Sequence, residues 1–74
     1  MTSRLTQAVL DVVAEGNSPF TAQGITSRVR KRLPTARHVI VLAEVRRLVG
    51  SGRLVEIREP RLPARFALAK GRRP

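Results

Sequence analysis

Glycine and proline divide this chain into short segments, and that division limits the folds that it can adopt. The breaks fall at residues 16–19, at Pro34, at residues 50–52 and at residues 60–63. Because glycine and proline interrupt helices and strands, each regular element should lie between two of these breaks. With 74 residues in all, the chain has room for one small domain.

Two segments with helical periodicity precede Pro34. The first begins at Thr2 or Ser3, either of which can cap a helix, and ends near the first glycine. The second begins at the N-cap residue Thr21, and Phe20 just before it could form a very short strand. The apolar faces comprise Leu5, Ala8, Val9, Val12 and Val13 in the first helix and Ile25, Val29 and Leu33 in the second.

A third helix should follow after a tight turn, with Thr35 placed to cap it. His38 is the only histidine, and its position near the core-facing side predicts a packed or capping role. The residues that should face the core are Val41, Leu42, Val45, Leu48 and Val49. The opposite face is unusually apolar and comprises Ala36, Val39, Ile40, Ala43 and Arg47.

The last part of the chain has the alternating pattern of β-strands. One strand is expected from residue 53 to 59 and a second from residue 65 to 68, where Phe66 and Leu68 share a face. Pro60 and Pro63 cannot continue either strand, so they mark the tip of an antiparallel hairpin. We therefore expect an α+β, mainly helical domain over residues 1–69: a three-helix bundle with a C-terminal two-stranded hairpin. Residues 70–74 should form a basic tail.

This order of elements resembles the winged-helix superfamily over nearly the whole chain. The most specific stretch is residues 45–57, VRRLVGSGRLVEI, which is similar to the end of a recognition helix and the first strand of the wing. Residues 65–68, RFAL, are similar to the returning wing strand. The chain also resembles linker-histone globular domains and bacterial repressors of the ferric-uptake type. It departs from linker histones in its two tip prolines and from the repressors in lacking their metal-binding histidines and cysteines.

The charge of the chain is strongly asymmetric. Lys and Arg total 15 against 5 Asp and Glu, which gives a net charge of +10. Residues 28–74 carry 14 of the basic residues and only 3 of the acidic ones. This excess predicts that the second half of the molecule faces a polyanion, most simply duplex DNA.

The resemblance implies which residues would touch DNA. In winged helices that bind DNA the third helix enters the major groove, and basic residues around it contact phosphates. The wing, with its rigid tip, would lie on or in a minor groove. The predicted contact residues are Arg28, Arg30, Lys31 and Arg32 in the second helix, Thr35, Arg37, Ile40 and Arg47 at the third, and Arg58, Arg61 and Arg65 in the wing.

The sequence offers no pattern for catalysis or for cofactor binding. It has no cysteine and one histidine, and Glu44, Glu56 and Glu59 suit local ion pairs better than acid-base chemistry. We expect no enzyme activity, metal, cofactor or small-molecule ligand. The longest apolar run, residues 39–43, is too short to cross a membrane. We therefore expect a cytoplasmic protein, associated with the nucleoid if prokaryotic, and Met1 favours a complete chain.

Two classes of function remain open at this stage. The chain could be a small transcriptional regulator or architectural factor that binds double-stranded DNA. Alternatively, winged helices also serve as protein-docking modules, and Val39, Ile40 and Ala43 could contact a second copy or another protein of the nucleic-acid machinery. RNA binding ranks last, because the chain lacks tyrosine and tryptophan for base stacking.

Overall fold

Three helices and a small sheet make up residues 3–16 and 19–69, the part of the chain that this computed structural model describes. The elements are α1 (Arg4–Glu15), β1 (Phe20–Thr21), α2 (Ala22–Arg32), α3 (His38–Gly50), β2 (Leu54–Ile57) and β3 (Arg65–Leu68). The strands form an antiparallel sheet in the order β1-β3-β2. The predicted short strand at Phe20 is thus confirmed, while the predicted basic tail, residues 70–74, lies outside the described residues.

Side-chain caps fix the starts of the first two helices. The Ser3 hydroxyl accepts a hydrogen bond from the Thr6 N–H at 3.0 Å. The Thr21 hydroxyl does the same for the Gly24 N–H at 3.1 Å. Each bond satisfies an amide that the helix itself leaves unpaired. Ser3 and Thr21 are therefore confirmed as N-caps, and the alternative cap Thr2 lies outside the described residues.

The predicted cap of the third helix was wrong. Thr35 lies in a turn, and α3 begins at His38 with Arg37 as an N-cap that makes no side-chain hydrogen bond. The reason is local: the Ala36 N–H donates to the Leu33 carbonyl at 2.9 Å, which extends the turn after α2. Ala36, which the sequence pattern placed on the outer face of the helix, therefore precedes it.

The core lies where the three helices meet one face of the sheet. Its fully buried side chains are Val9, Val12, Ile25, Val29, Val41, Val45, Leu48 and Leu54. From the sheet, Phe66 joins this cluster, opposite Phe20 on one side and Glu56 on the other. The helical faces predicted from periodicity are confirmed, with Leu5, Leu33, Leu42 and Val49 half-buried at the margin. The first wing strand is shorter than expected and turns Val55 outward.

The wing tip is held by several backbone constraints. Pro60 and Pro63 flank it, and Arg61 adopts φ of 69°, a left-handed conformation that is uncommon outside glycine. The Leu62 N–H donates to the Glu59 carbonyl at 3.2 Å and closes the turn. The tip therefore presents its side chains from a defined loop.

We expect a methyl group at position 16 to destabilise the fold. A Cβ on Gly16 would overlap the edge of the Phe20 ring, which is packed against the core. Gly16→Ala should therefore lower the free energy of unfolding by about 1–2 kcal/mol, as overpacking generally does. Gly50→Ala is the matched control: no atom lies within 4 Å of its Cβ position, so it should be neutral or slightly stabilising. Urea denaturation of both variants measures the difference, and equal stabilities would contradict it.

Candidate nucleic-acid interface

All five carboxylates of the sequence form ion pairs with arginines of the same chain. Asp11 and Glu15 pair with Arg32, Glu44 with Arg47, Glu56 with Arg58, and Glu59 with Arg65. Four of the eleven predicted DNA-contacting residues thus already have a carboxylate partner. This separates the basic residues into a paired group and an unpaired group.

The two arginines on one flank of α2 are turned toward the rest of the fold. Arg32 reaches both Asp11 and Glu15 of α1. The guanidinium carbon of Arg28 lies 4.8 Å from the centre of the Phe20 ring, within cation–π distance. Arg32 and Arg28 therefore contact α1 and β1 of the same chain, and we assign them a role in packing α2.

Arg47 belongs to a network that joins α3 to the start of α1. Its Nη2 donates to Glu44 Oε2 at 2.5 Å and to the Thr6 hydroxyl at 3.2 Å, and the Thr6 hydroxyl donates to the same Glu44 oxygen at 2.5 Å. Thr6 is buried, and only 12% of the Glu44 side chain is exposed. The hydrogen bond from Arg47, assisted by that from Thr6, lowers the pKa of Glu44 despite the opposing effect of burial.

This network predicts a pH-dependent contribution to stability. Because the pKa of Glu44 is lowered in the folded state, its ionised form stabilises the fold above the unfolded-state pKa, and the effect is lost as pH falls through the folded-state value. Glu44→Gln should therefore be less stable than wild type by about 1 kcal/mol at pH 7. The difference should shrink below about pH 4. Thermal unfolding at both pH values checks this, and a gap that stays constant would contradict it.

A shallow groove runs between α2 and the start of α3. Its lining includes Arg30, Lys31, Gln23 and Ser27 from α2, with His38 at the opposite wall. Both basic residues are exposed and form no ion pair among the described residues. We call this surface the α2–α3 groove.

A second, larger groove lies between α3 and the wing, and His38 borders both. From α3 it is lined by His38, Leu42 and Arg46, and from the wing by Arg58, Leu62 and their neighbours. Arg46 is exposed and forms no ion pair within the described ranges. We call this surface the α3–wing groove. The two grooves meet at His38, at the start of α3.

His38 was expected near the core, but it is exposed where the two grooves meet. Its Nδ1 lies 2.9 Å from the Thr26 hydroxyl, which donates to the Ala22 carbonyl at 2.9 Å. Because that hydroxyl proton is already engaged, Thr26 accepts a bond from His38 Nδ1–H. The imidazole is therefore oriented by α2, with its Nε2 edge available to a partner.

The remaining predicted residues are exposed but line neither groove. Arg37 and Thr35 are exposed in the turn that enters α3, and Arg61 is exposed at the wing tip. Ile40 is 50% exposed and Val39 64% exposed on the outer side of α3. Arg46, Gln23 and His38 line these grooves but were not among the predicted contact residues. The only sequence signal was the position of Arg46 on the flank of the third helix.

The described residues show neither a membrane-crossing helix nor a metal cluster. No helix in residues 3–16 and 19–69 is long and apolar enough to cross a membrane. Over the same ranges, no three His, Cys, Asp or Glu side chains are grouped as ligands of a metal ion.

Comparison with known proteins finds similarity in structure but not in sequence. No protein-family model and no curated protein sequence matches this chain. The ferric uptake regulator Fur of Helicobacter pylori, solved with three functional metal binding sites, superposes with a TM-score of 0.88 at 14% identity, over 99% of this chain and 49% of that one. The iron-containing ferric uptake regulator of Francisella tularensis gives 0.84 at 9% identity, over 99% and 56%. The peroxide stress regulator of Campylobacter jejuni gives 0.79 at 17% identity, over 89% and 48%.

These likenesses establish the fold. The chain has the winged-helix architecture that the sequence resemblance implied, with a bundle of three helices and a hairpin wing. It spans about half the length of each solved structure that it matches.

Proposed function

We propose that this protein is a small DNA-binding transcriptional regulator or architectural factor that places α3 in the major groove of a duplex. Carboxylates neutralise Arg32 at the end of α2, Arg47 of α3, and Arg58 and Arg65 of the wing. In contrast, Arg30 and Lys31 of the α2–α3 groove and Arg46 of the α3–wing groove have no carboxylate partner among the described residues. This separation of paired from unpaired cations is the observation that carries the proposal. We place the protein in the cytoplasm, on the nucleoid if prokaryotic, without catalytic activity.

The arrangement suits the docking geometry of a helix-turn-helix protein. In that geometry the second helix of the motif enters the major groove while the first crosses the backbone. Here α3 would be the inserted helix, and Arg30 and Lys31 on α2 would contact phosphates at the groove edge. Arg37 and Arg46 lie at the turn and along α3, where phosphates or guanine edges come within reach. Arg61 would approach the backbone or the minor groove from the wing.

The structural neighbours support this class of function by their names. All three are regulators, and each contains a domain with the fold of this chain. The metal sites and the iron are properties of those longer proteins, and the proposal for this chain rests on its own charged surface.

The test is a titration of duplex DNA at several salt concentrations. Five basic residues that are unpaired in the described structure, at the grooves, the turn before α3 and the wing tip, should each neutralise a phosphate: Arg30, Lys31, Arg37, Arg46 and Arg61. Log affinity should then fall against log salt with a slope of about −4.5. Between 50 and 200 mM salt this amounts to a loss of affinity of about 500-fold. A flat salt response would contradict the proposal. Single-stranded RNA of equal length serves as the competitor that tests nucleic-acid class.

A second candidate function is protein docking through the outer side of α3. Val39 and Ile40 are half exposed or more, which is unusual for large apolar residues on one helix face. The partner would be a second copy of this chain or a component of the nucleic-acid machinery.

Ile40→Asp separates the two functions. If Ile40 contacts DNA in the major groove, a carboxylate there should lower duplex affinity by tenfold or more, because the DNA phosphates repel its negative charge. If Ile40 contacts protein instead, the variant should lose self-association in sedimentation experiments while DNA affinity falls less than threefold. Because the side chain is exposed, the unfolding temperature should stay within a few degrees of wild type.

A further inference from the structure

Leu62 is an exposed apolar residue at the wing tip and does not belong to the hydrophobic core. Its side chain is 55% exposed, in a molecule whose core is built from other residues. The adjacent tip residue, Arg61, is also exposed.

The loop holds this leucine rigidly. Two prolines bracket Arg61 and Leu62 and restrict the backbone on both sides. The Leu62 N–H is bonded to the Glu59 carbonyl at 3.2 Å, and the Glu59 carboxylate is paired with Arg65 Nη2 at 2.6 Å. Because Arg65 is part of β3, that ion pair ties the tip to the sheet. A backbone constrained in this way loses little conformational freedom when the Leu62 side chain inserts into a partner.

The position of Leu62 is on the proposed DNA-binding face. It lines the same α3–wing groove as Arg46 and His38 of α3. A duplex seated on α3 would therefore run beside the wing tip. Arg61, which forms no ion pair among the described residues, would meet the negative potential of a narrow minor groove there.

We propose that Leu62 is a wedge that inserts between base pairs from the minor groove and bends the duplex. This rests on the proposed DNA binding and adds a mechanism to it. Minor-groove proteins use leucine and similar side chains to unstack a base step, which kinks DNA by about 20–90°. The energetic cost is lowest at pyrimidine–purine steps, so the wedge makes the protein favour duplexes that contain TA or CA steps.

The experiment measures bending and affinity together. Short duplexes labelled at both ends for energy transfer are titrated with protein, one set with a central TA step and one with a stiff A-tract. Wild type should shorten the end-to-end distance and bind the TA duplex about tenfold more tightly. Leu62→Ala should lose at least half of the bend and most of that preference, with only a few-fold loss of affinity for the A-tract duplex. Leu62→Met, which keeps a long apolar side chain, should retain the bend.

Val55→Ala is the matched control, because Val55 is a 43% exposed apolar residue of the wing strand away from the tip. It should leave both bending and preference unchanged. Wild-type binding without bending, or full bending by Leu62→Ala, overturns the wedge while leaving DNA binding intact. Loss of self-association by Leu62→Ala with unchanged bending likewise overturns it in favour of a protein contact. If no duplex binds in a salt-dependent way, both the wedge and the proposed DNA-binding function are contradicted.

Discussion

Replacing Arg30 and Lys31 together with glutamine should lower the affinity for duplex DNA about 30-fold at 0.15 M salt. Each phosphate contact contributes about 0.9 to the slope of log affinity against log salt, so the slope should also become shallower by about 2. Both side chains line the α2–α3 groove and are unpaired in the described structure, so they can release counterions directly. The measurement is a fluorescence titration at four salt concentrations.

The matched control removes the same charge from paired positions. Arg32→Gln combined with Arg47→Gln leaves the net charge equal to that of the first variant, but it removes cations that already neutralise carboxylates of α1 and α3. We expect less than a threefold loss of affinity and little change in the salt slope. Far-UV circular dichroism and thermal unfolding show whether either variant has lost structure.

The comparison distinguishes surface geometry from overall charge. If both variants lose affinity equally, binding depends on net charge alone, and the α2–α3 groove is not part of the interface. If the second variant loses more, the paired arginines exchange their carboxylates for phosphates on binding, and the proposed division of the basic residues is wrong.

The fold could be predicted from the sequence because the features that determine it are local. Apolar residues at helical spacing identified the buried faces, and Ser3 and Thr21 supplied the caps that the pattern required. The start of α3 was not accessible. Whether Thr35 caps the helix depends on how far the preceding turn extends. The turn extends past Thr35 because the Ala36 N–H donates to the Leu33 carbonyl. The orientation of His38 likewise depends on Thr26, a residue of another helix.

The candidate site was only partly accessible for the same reason. Net charge located the basic half of the chain, but the charge pattern cannot tell which arginines are already paired. The partners of Arg32 lie 17 and 21 positions earlier, and Arg47 reaches Thr6 across 41 positions. Such contacts exist only once the helices have packed. Whether the eleven predicted residues touch DNA stays a prediction. We now expect the contacts mainly from those of the eleven that form no ion pair, and from Arg46, which was not among them.

The largest effect on stability should come from Phe66. Its ring is 5% exposed in the core, and its strand β3 pairs with both other strands, so this residue joins the wing to the helices. Phe66→Ala should lower the free energy of unfolding by about 3–5 kcal/mol. A domain of this length has only about 4–11 kcal/mol in total, so the melting temperature should fall by at least about 12 °C.

Val55→Ala again provides the control, because it truncates a more exposed apolar residue of the same sheet and should cost less than about 0.5 kcal/mol. Equal melting temperatures for the two variants would show that the sheet is not anchored through Phe66. The two prospective wing contacts, Arg61 and Leu62, reach their positions only because β3 is fixed to the core. Phe66→Ala should therefore lose DNA bending at temperatures where the helical circular dichroism signal persists, before the helices themselves unfold.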